Sequence, residues 1–411
     1  MDDTMPMIKR ALYLDKLDAW RDHDVIKVVS GVRRCGKSTL MELWKERLFA
    51  SGVPESNIVH INLELLENEH LLEYHALHDE VLRRCSLHPG TTYVILDEIQ
   101  NIPDFQKAVD SLYVRPNIDL YITGSNSKLL RGTLATLLSG RYVEIEMLPL
   151  SFAEYLDAFE HDQRSPQRAW SDYLHDGSLP AITSLAGNDM LIYDYLLGIL
   201  NTVLLKDVAE RLNVSNTANL SAITTYMLDN IGNLTTAKGI ADAMTSAGNK
   251  ISSATVSDYL QGLCASYLLY EVDRYDIRGK RLLKQEKKHY AVDMGIRRIT
   301  CSNSVRDTGR ILENIVYLEL KRREGKVFVG KAPTGEVDFI TNGVSGMAYY
   351  QVAETVSDPK TLERELASLQ SIRDNHPKYL ITLDDTRPIS HDGIRQIYAL
   401  DWLLEREGHA R

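Results

Sequence analysis

Gly31-Val32-Arg33-Arg34-Cys35-Gly36-Lys37-Ser38 satisfies the phosphate-binding pattern G-x-x-x-x-G-K-[ST] at every fixed position. The stretch before it, Val25-Ile26-Lys27-Val28-Val29-Ser30, is apolar and β-branched and predicts a buried strand. The stretch after it, Thr39 to Leu48, is rich in helix formers and sets Leu40, Leu43, Trp44 and Leu48 at helical spacing. The motif therefore lies between a strand and a helix N-terminus, where loop N–H groups and the helix dipole face a bound phosphate. In such a loop Gly31 to Thr39 surround the nucleotide phosphates, Lys37 reaches the β- and γ-phosphates, and the Ser38 hydroxyl binds Mg²⁺. ATP and Mg²⁺ are the expected cofactors. Cys35 is either an oxidation-sensitive thiol or a small filler of the loop.

The chain has 411 residues, more than one core organises, so about two to four domains are expected. A net charge of −10 argues against indiscriminate nucleic-acid binding but leaves room for a local basic patch. Cys35, Cys85, Cys264 and Cys301 lie far apart with no C-x-x-C pair, which argues against a disulfide framework or a cysteine zinc site. There is no apolar run of about 18 residues and no secretory apolar segment near the start, so a cytoplasmic protein without a membrane partner is expected.

Further strands are expected at Ile58–Leu63, Thr92–Glu98 and Asp119–Ser125, with a helix from about Asn68 to Ser86. Short apolar strands alternating with helices imply an α/β fold with a parallel sheet covered on both faces. Tyr93-Val94-Ile95-Leu96-Asp97-Glu98 ends an apolar strand in two acids, the Walker B arrangement. Asp97 would hold Mg²⁺, and Glu98 would polarise an attacking water. Ser125 and Asn126 follow the next strand, where a polar side chain is either a γ-phosphate sensor or a helix N-cap. Arg141 is a candidate arginine finger or γ-phosphate sensor, with Arg131 a weaker one.

The strings GVRRCGKST, VILDEIQ, YITGSNSKLL, LSGRY and EMLPLSFAEYL together resemble a bacterial and archaeal family of AAA-superfamily ATPases whose C-terminal domain is of unknown function. The resemblance continues through Gly177-Ser178-Leu179-Pro180, where Ser178 and Leu179 depart from a Gly-Gly-aromatic-Pro pattern. It extends to Leu204–Val208, Tyr290–Gly295 and Gly335–Phe339. It implies a P-loop AAA-type core over 1–150, a helical lid over 151–216, a winged-helix-like region over 217–300 and a small α/β nuclease-like domain over 301–411.

The residues fit those parts. Ser151 and Glu154 have the spacing of a capping box. Helices expected at Leu220–Asn230, Thr236–Met244 and Ser253–Leu263, then a strand pair, have winged-helix order. The strand pair carries Arg274, Arg278, Lys280, Arg281, Lys284, Lys287 and Lys288, a plausible phosphate-contacting wing, although a solvated loop serving protein contacts fits the same charges. Glu313, Asp338 and Gln351 match three of four positions of a PD-(D/E)XK nuclease core, with Ala353 where the lysine would stand. Without that ammonium, and with neutral Gln351 in the metal set, a nuclease fold without nuclease activity is expected.

The leading expectation is an ATP-hydrolysing motor or switch acting on DNA. A trans-acting arginine would require a homo-oligomer, up to a hexameric ring. The rival is a nucleotide-regulated scaffold that binds a protein partner. A third reading, an active Mg²⁺-dependent nuclease, is opposed by Gln351 and Ala353.

Overall fold

The computed structural model describes residues 8–85, 89–125, 140–159, 164–214, 216–301, 307–343 and 346–404. The expected strand before the phosphate loop is β1, Ile26–Ser30, buried along its whole length. It joins β2 (Ile58–Asn62), β3 (Thr92–Asp97), β4 (Ile118–Gly124) and β5 (Tyr142–Glu146) in the order β2-β3-β4-β1-β5. Every pair is parallel, so all the strand C-termini lie along one edge. Among the described residues, four helices accompany this sheet: α1 (Ala11–Trp20), α2 (Lys37–Ala50), α3 (Tyr74–Cys85) and α4 (Phe105–Tyr113).

Strand parity decides which side chains meet which helices. Val28, Val94, Leu96, Leu120 and Ile122 join the core that holds Leu77 and Val81 of α3 and Val109 and Leu112 of α4. Residues of opposite parity face α2, where the Tyr121 and Trp44 rings lie 5.5 Å apart. The helix expected from about Asn68 begins later, because a 3₁₀ turn occupies Leu66–Leu71. Glu73 then accepts from the N–H groups of His75 (3.0 Å) and Ala76 (3.1 Å), which starts α3 at Tyr74.

Within the described residues the chain forms two compact units. One is built from the chain up to Pro149 with Ala265–Tyr267, the other from Leu150–Cys264 and the chain from Leu268 onward. The second unit begins with α5 (Phe152–Asp157), α6 (Pro166–Asp176), α7 (Ile182–Leu185) and α8 (Asp189–Thr202), then a π-helical stretch at Val203–Ala209 and α9 (Glu210–Leu212). The Ser151–Glu154 capping box is present in both directions, at 3.0 and 2.9 Å.

Next come α10 (Thr217–Asp229), β6 (Leu234–Thr235), α11 (Ala237–Ser246) and α12 (Ser253–Ala265), then a hairpin of β7 (Leu269–Asp276) and β8 (Arg281–Ala291) and α13 (Met294–Thr300). The chain ends with α14 (Thr308–Glu324), β9 (Val327–Lys331), β10 (Glu336–Gly343), β11 (Gly346–Ala353), α15 (Pro359–Gln370), β12 (Lys378–Thr382), β13 (Ile389–His391), β14 (Ile394–Tyr398) and α16 (Ala399–Leu404). Nine strands form one sheet, β13-β14-β12-β11-β10-β9-β7-β8-β6. β7 runs parallel to β9 with Arg274 opposite Val329, so one sheet crosses the boundary expected near residue 300.

Gly177 shows why the Gly-Ser-Leu-Pro segment is constrained. Its φ is +93°, and a Cβ there would lie 2.5 Å from Asp293 Oδ1. That carboxylate caps α13, accepting from Ile296 N–H at 2.9 Å, and also accepts from Ser178 N–H (2.6 Å) and Oγ–H (2.8 Å). Ser178, the departure from the family pattern, thus adds a hydrogen bond to a buried acid.

Candidate functional site

The phosphate loop leaves β1 and enters α2 at Lys37, with Gly36 at φ +100° in the position before the helix. Gly31 is fixed by crowding, since a Cβ there would lie 2.2 Å from the Met147 carbonyl oxygen. Val32 and Cys35 are buried, Ser38 is half-buried, and Arg34 and Thr39 are exposed. Arg34 takes a left-handed φ of +68°. Arg33 lies 3.5 Å from Glu64. Arg10 braces the loop from below, donating to the carbonyls of Cys35 (3.1 Å) and Leu148 (2.6 Å). Burial pushes the Cys35 thiol above its usual range, which suits a loop filler rather than a reactive thiolate.

Lys37 Nζ donates to the carbonyls of Gly31 (3.2 Å) and Val32 (3.3 Å) and lies 3.6 Å from Glu98 Oε1. The loop lysine and the second Walker B acid are therefore neighbours, both almost wholly buried. Glu98 adopts a left-handed φ of +54°, uncommon for a residue with a side chain, and its other oxygen accepts from Gln100. Its N–H donates to Thr123 Oγ1 at 2.9 Å, and the same hydroxyl donates to Asp97 Oδ1. Asp97 is fully buried, and its Oδ2 has no hydrogen-bond partner among the described residues. An orphaned buried carboxylate oxygen is what a hard divalent cation satisfies, so Asp97 with Ser38 fits Mg²⁺.

Thr123 is the residue that sequence reasoning missed. Leu96 pairs with Ile122, so Asp97 and Thr123 are at the same level and on the same face of adjacent strands. Counting register back from the strand ends would have exposed this. Ser125 is buried just beyond β4, but the polar group that touches both acids is Thr123. Asn126 and Arg131 lie outside the described residues.

Arg141 lies away from its own phosphate loop. Its carbonyl accepts from Ile26 N–H at 2.8 Å, placing it at the start of β1 and β5, the opposite end of the sheet from the loop. Its guanidinium pairs with Asp110 at 2.6 Å and lies over the Tyr113 ring.

The basic hairpin is also less free than its sequence suggested. Arg274 is largely buried and pairs with Glu286 (2.8 Å) and Glu336 (3.7 Å). Lys287 pairs with Glu271 and Asp273. Arg278, Lys280 and Arg281, at the hairpin turn, are exposed. The Lys284 side chain lies outside the described residues.

Glu313 on α14, Asp338 on β10 and Gln351 on β11 do converge. Gln351 Oε1 accepts from Asp338 N–H at 3.4 Å, its Nε2 donates to Glu365 at 2.8 Å, and Asp338 Oδ2 accepts from Val352 N–H at 2.8 Å. Tyr290 donates to Glu313 at 2.6 Å. Burial and the charge of Glu313 push the Asp338 carboxyl well above its usual range. Lys288, counted with the basic hairpin in the sequence, points instead into this cluster. Burial alone would lower its proton affinity, but the charges of Glu313, Asp338 and Glu336 raise it above the usual lysine value.

The five-stranded parallel sheet and the loop it carries have the architecture of a P-loop ATPase core. Residues 23–156 match the family model described as an AAA domain, and residues 167–305 match a domain of unknown function, DUF8612. The chain belongs to the same family as an "Uncharacterized protein" of Haemophilus influenzae, 38% identical over 401 residues, covering 97% of this chain and 99% of that protein. "Uncharacterized protein MJ1544" of Methanocaldococcus jannaschii is 28% identical over 378 residues, covering 88% of this chain and 82% of that protein. The Walker-type ATPase PABY2304 of Pyrococcus abyssi shares the fold, with a TM-score of 0.50 and 17% identity, covering 72% of this chain and 99% of that one. None of the described helices is long and apolar enough to cross a membrane.

Proposed function

We propose that this protein binds and hydrolyses ATP with Mg²⁺, as an oligomeric AAA-type motor or switch acting on DNA. The observation that carries the reading is Lys37 Nζ at 3.6 Å from Glu98 Oε1, beside the partnerless Asp97 Oδ2. Loop N–H groups and Lys37 would hold the phosphates, and Ser38 and Asp97 would hold Mg²⁺, which supplies charge neutralisation at the phosphate oxygens. Glu98 would orient a water and take up its proton, with Gln100 holding its carboxylate and Thr123 its backbone N–H. Arg141 stands about 15 Å from its own loop, the length of a five-residue strand. In this reading it serves a neighbouring protomer's nucleotide, which makes assembly part of the mechanism.

Exposed Arg278, Lys280 and Arg281 support contact with DNA phosphates. A second reading, the protein-binding scaffold, draws support from the carboxylates that neutralise Arg274, Lys287 and Lys288. The test is steady-state ATP turnover with parallel nucleotide binding. Glu98→Gln is expected to keep binding and lose turnover by about 10²–10⁴-fold, the usual weight of a general base. Lys37→Ala is expected to lose binding. Absence of turnover in the unaltered protein, with and without DNA, would refute hydrolysis. Reversing the charges of Arg278, Lys280 and Arg281 should abolish salt-sensitive DNA binding. If DNA binding is unchanged and a stoichiometric protein partner is retained, the scaffold reading stands instead.

A further inference from the structure

We propose that the ammonium of Lys288 is a built-in cation for the carboxylates of Glu313, Glu336 and Asp338, so that this cluster takes no divalent metal. The inference is independent of the ATPase reading. Lys288 Nζ lies 2.8 Å from Glu336 Oε1, 2.9 Å from Glu313 Oε1 and 3.9 Å from Asp338 Oδ1. Its side chain is 6% exposed, and those of Glu313 and Asp338 are 13% and 12% exposed, while Glu336 at 28% keeps an edge in water.

Three observations favour a resident ammonium over a metal. The contacts to Glu336 and Glu313 are ammonium–carboxylate hydrogen-bond lengths, whereas Mg²⁺ would draw its oxygens to about 2.1 Å. A divalent ion at that distance from the Glu313 and Asp338 oxygens would sit against the ammonium, and two cations in one buried pocket repel strongly. Finally, His175, Asp176 and Asp189 are the one trio of His, Cys, Asp or Glu among the described residues whose ligand atoms gather closely enough for an ion; Glu313, Glu336 and Asp338 are not such a set.

Lys288 also comes from a different place than a nuclease lysine would. The expected position is Ala353 on β11, whereas Lys288 stands on β8 and reaches Glu313 on α14 and the acids of β10. The ammonium therefore ties the hairpin to the helix and strand that carry Glu313, Glu336 and Asp338. A cluster arranged this way holds structure and leaves metal-dependent phosphodiester chemistry without its ion.

The test is Mn²⁺ binding by full-length protein without nucleotide, read by electron paramagnetic resonance. The background is Asp97→Asn, which removes the P-loop metal ligand. The signal that counts is the part abolished by adding Asp338→Asn. With Lys288 intact no such signal is expected. Replacing Lys288 with Met should create it, tightening Mn²⁺ binding by roughly tenfold or more. Lys288→Arg, which keeps the charge, should not. An Asp338-dependent Mn²⁺ site with Lys288 intact would overturn the proposal and indicate a metal centre whose lysine has moved to β8. This arm needs no Lys288 variant, so misfolding of the Met variant does not shield the proposal. A folded Met variant that gains no Asp338-dependent site would overturn it equally.

Discussion

Thr123→Val removes one hydroxyl from beneath the two Walker B acids while keeping the branched shape that the buried strand packs. That hydroxyl donates to Asp97 and accepts from Glu98 N–H at 2.9 Å. A hydrogen bond to a charged group contributes about 1.5–3 kcal/mol, and leaving a buried N–H unsatisfied costs about 1–3 kcal/mol. The sum, roughly 2.5–6 kcal/mol, is a large share of the ~5–15 kcal/mol by which a protein of ordinary stability stays folded. The cost should be local, because the freed N–H belongs to a residue held at φ +54°. Hydrogen exchange measured on the peptide containing Glu98 should accelerate by about 10²-fold or more. ATP turnover should fall about tenfold or more, since the carboxylate loses the restraint on its backbone. If exchange at Glu98 and turnover both stay within about twofold of the unaltered protein, Thr123 does not position this site.

Gly177→Ala should destabilise the second unit by about 3–6 kcal/mol, from strain at φ +93° and displacement of the triply bonded Asp293 carboxylate. A urea-denaturation loss under about 1 kcal/mol would contradict the crowding. Arg141→Ala should leave nucleotide binding by dilute protein unchanged within about threefold, yet lower turnover at assembling concentrations by about 10³-fold. An equal loss of binding in dilute protein would place the arginine at its own nucleotide. The Glu271 carboxyl is held at about 2 by His289 and Lys287, below its ordinary 4.5. Its stabilising contribution is therefore present above about pH 4.5 and lost as pH falls toward 2. Unfolding midpoints across that window should show a slope that Glu271→Gln flattens.

The parts of this protein that were legible in its sequence are those whose chemistry is contiguous. Gly31 to Ser38 needs one loop between one strand and one helix, and both neighbours announce themselves by periodicity within a dozen residues. Asp97-Glu98 closes an apolar run, and Ser151 with Glu154 caps a helix across one turn. Each is set by local sterics and hydrogen bonding, which the order of residues specifies directly.

What the tertiary structure decided depends on strand order and register. Thr123 lies beneath Asp97 because β3 and β4 are neighbours in parallel register, a fact that joins residues 26 positions apart in the chain. Arg141 lies far from its own loop because β5 runs parallel to β1, so a residue that begins one strand sits beside the beginning of the other. Lys288 read as one more charge in a basic run, and only the sheet joining the hairpin to the C-terminal strands turns it toward Glu313, Glu336 and Asp338. A sequence specifies a residue's charge and its local face, but the partner that face meets is fixed only when distant strands settle beside one another.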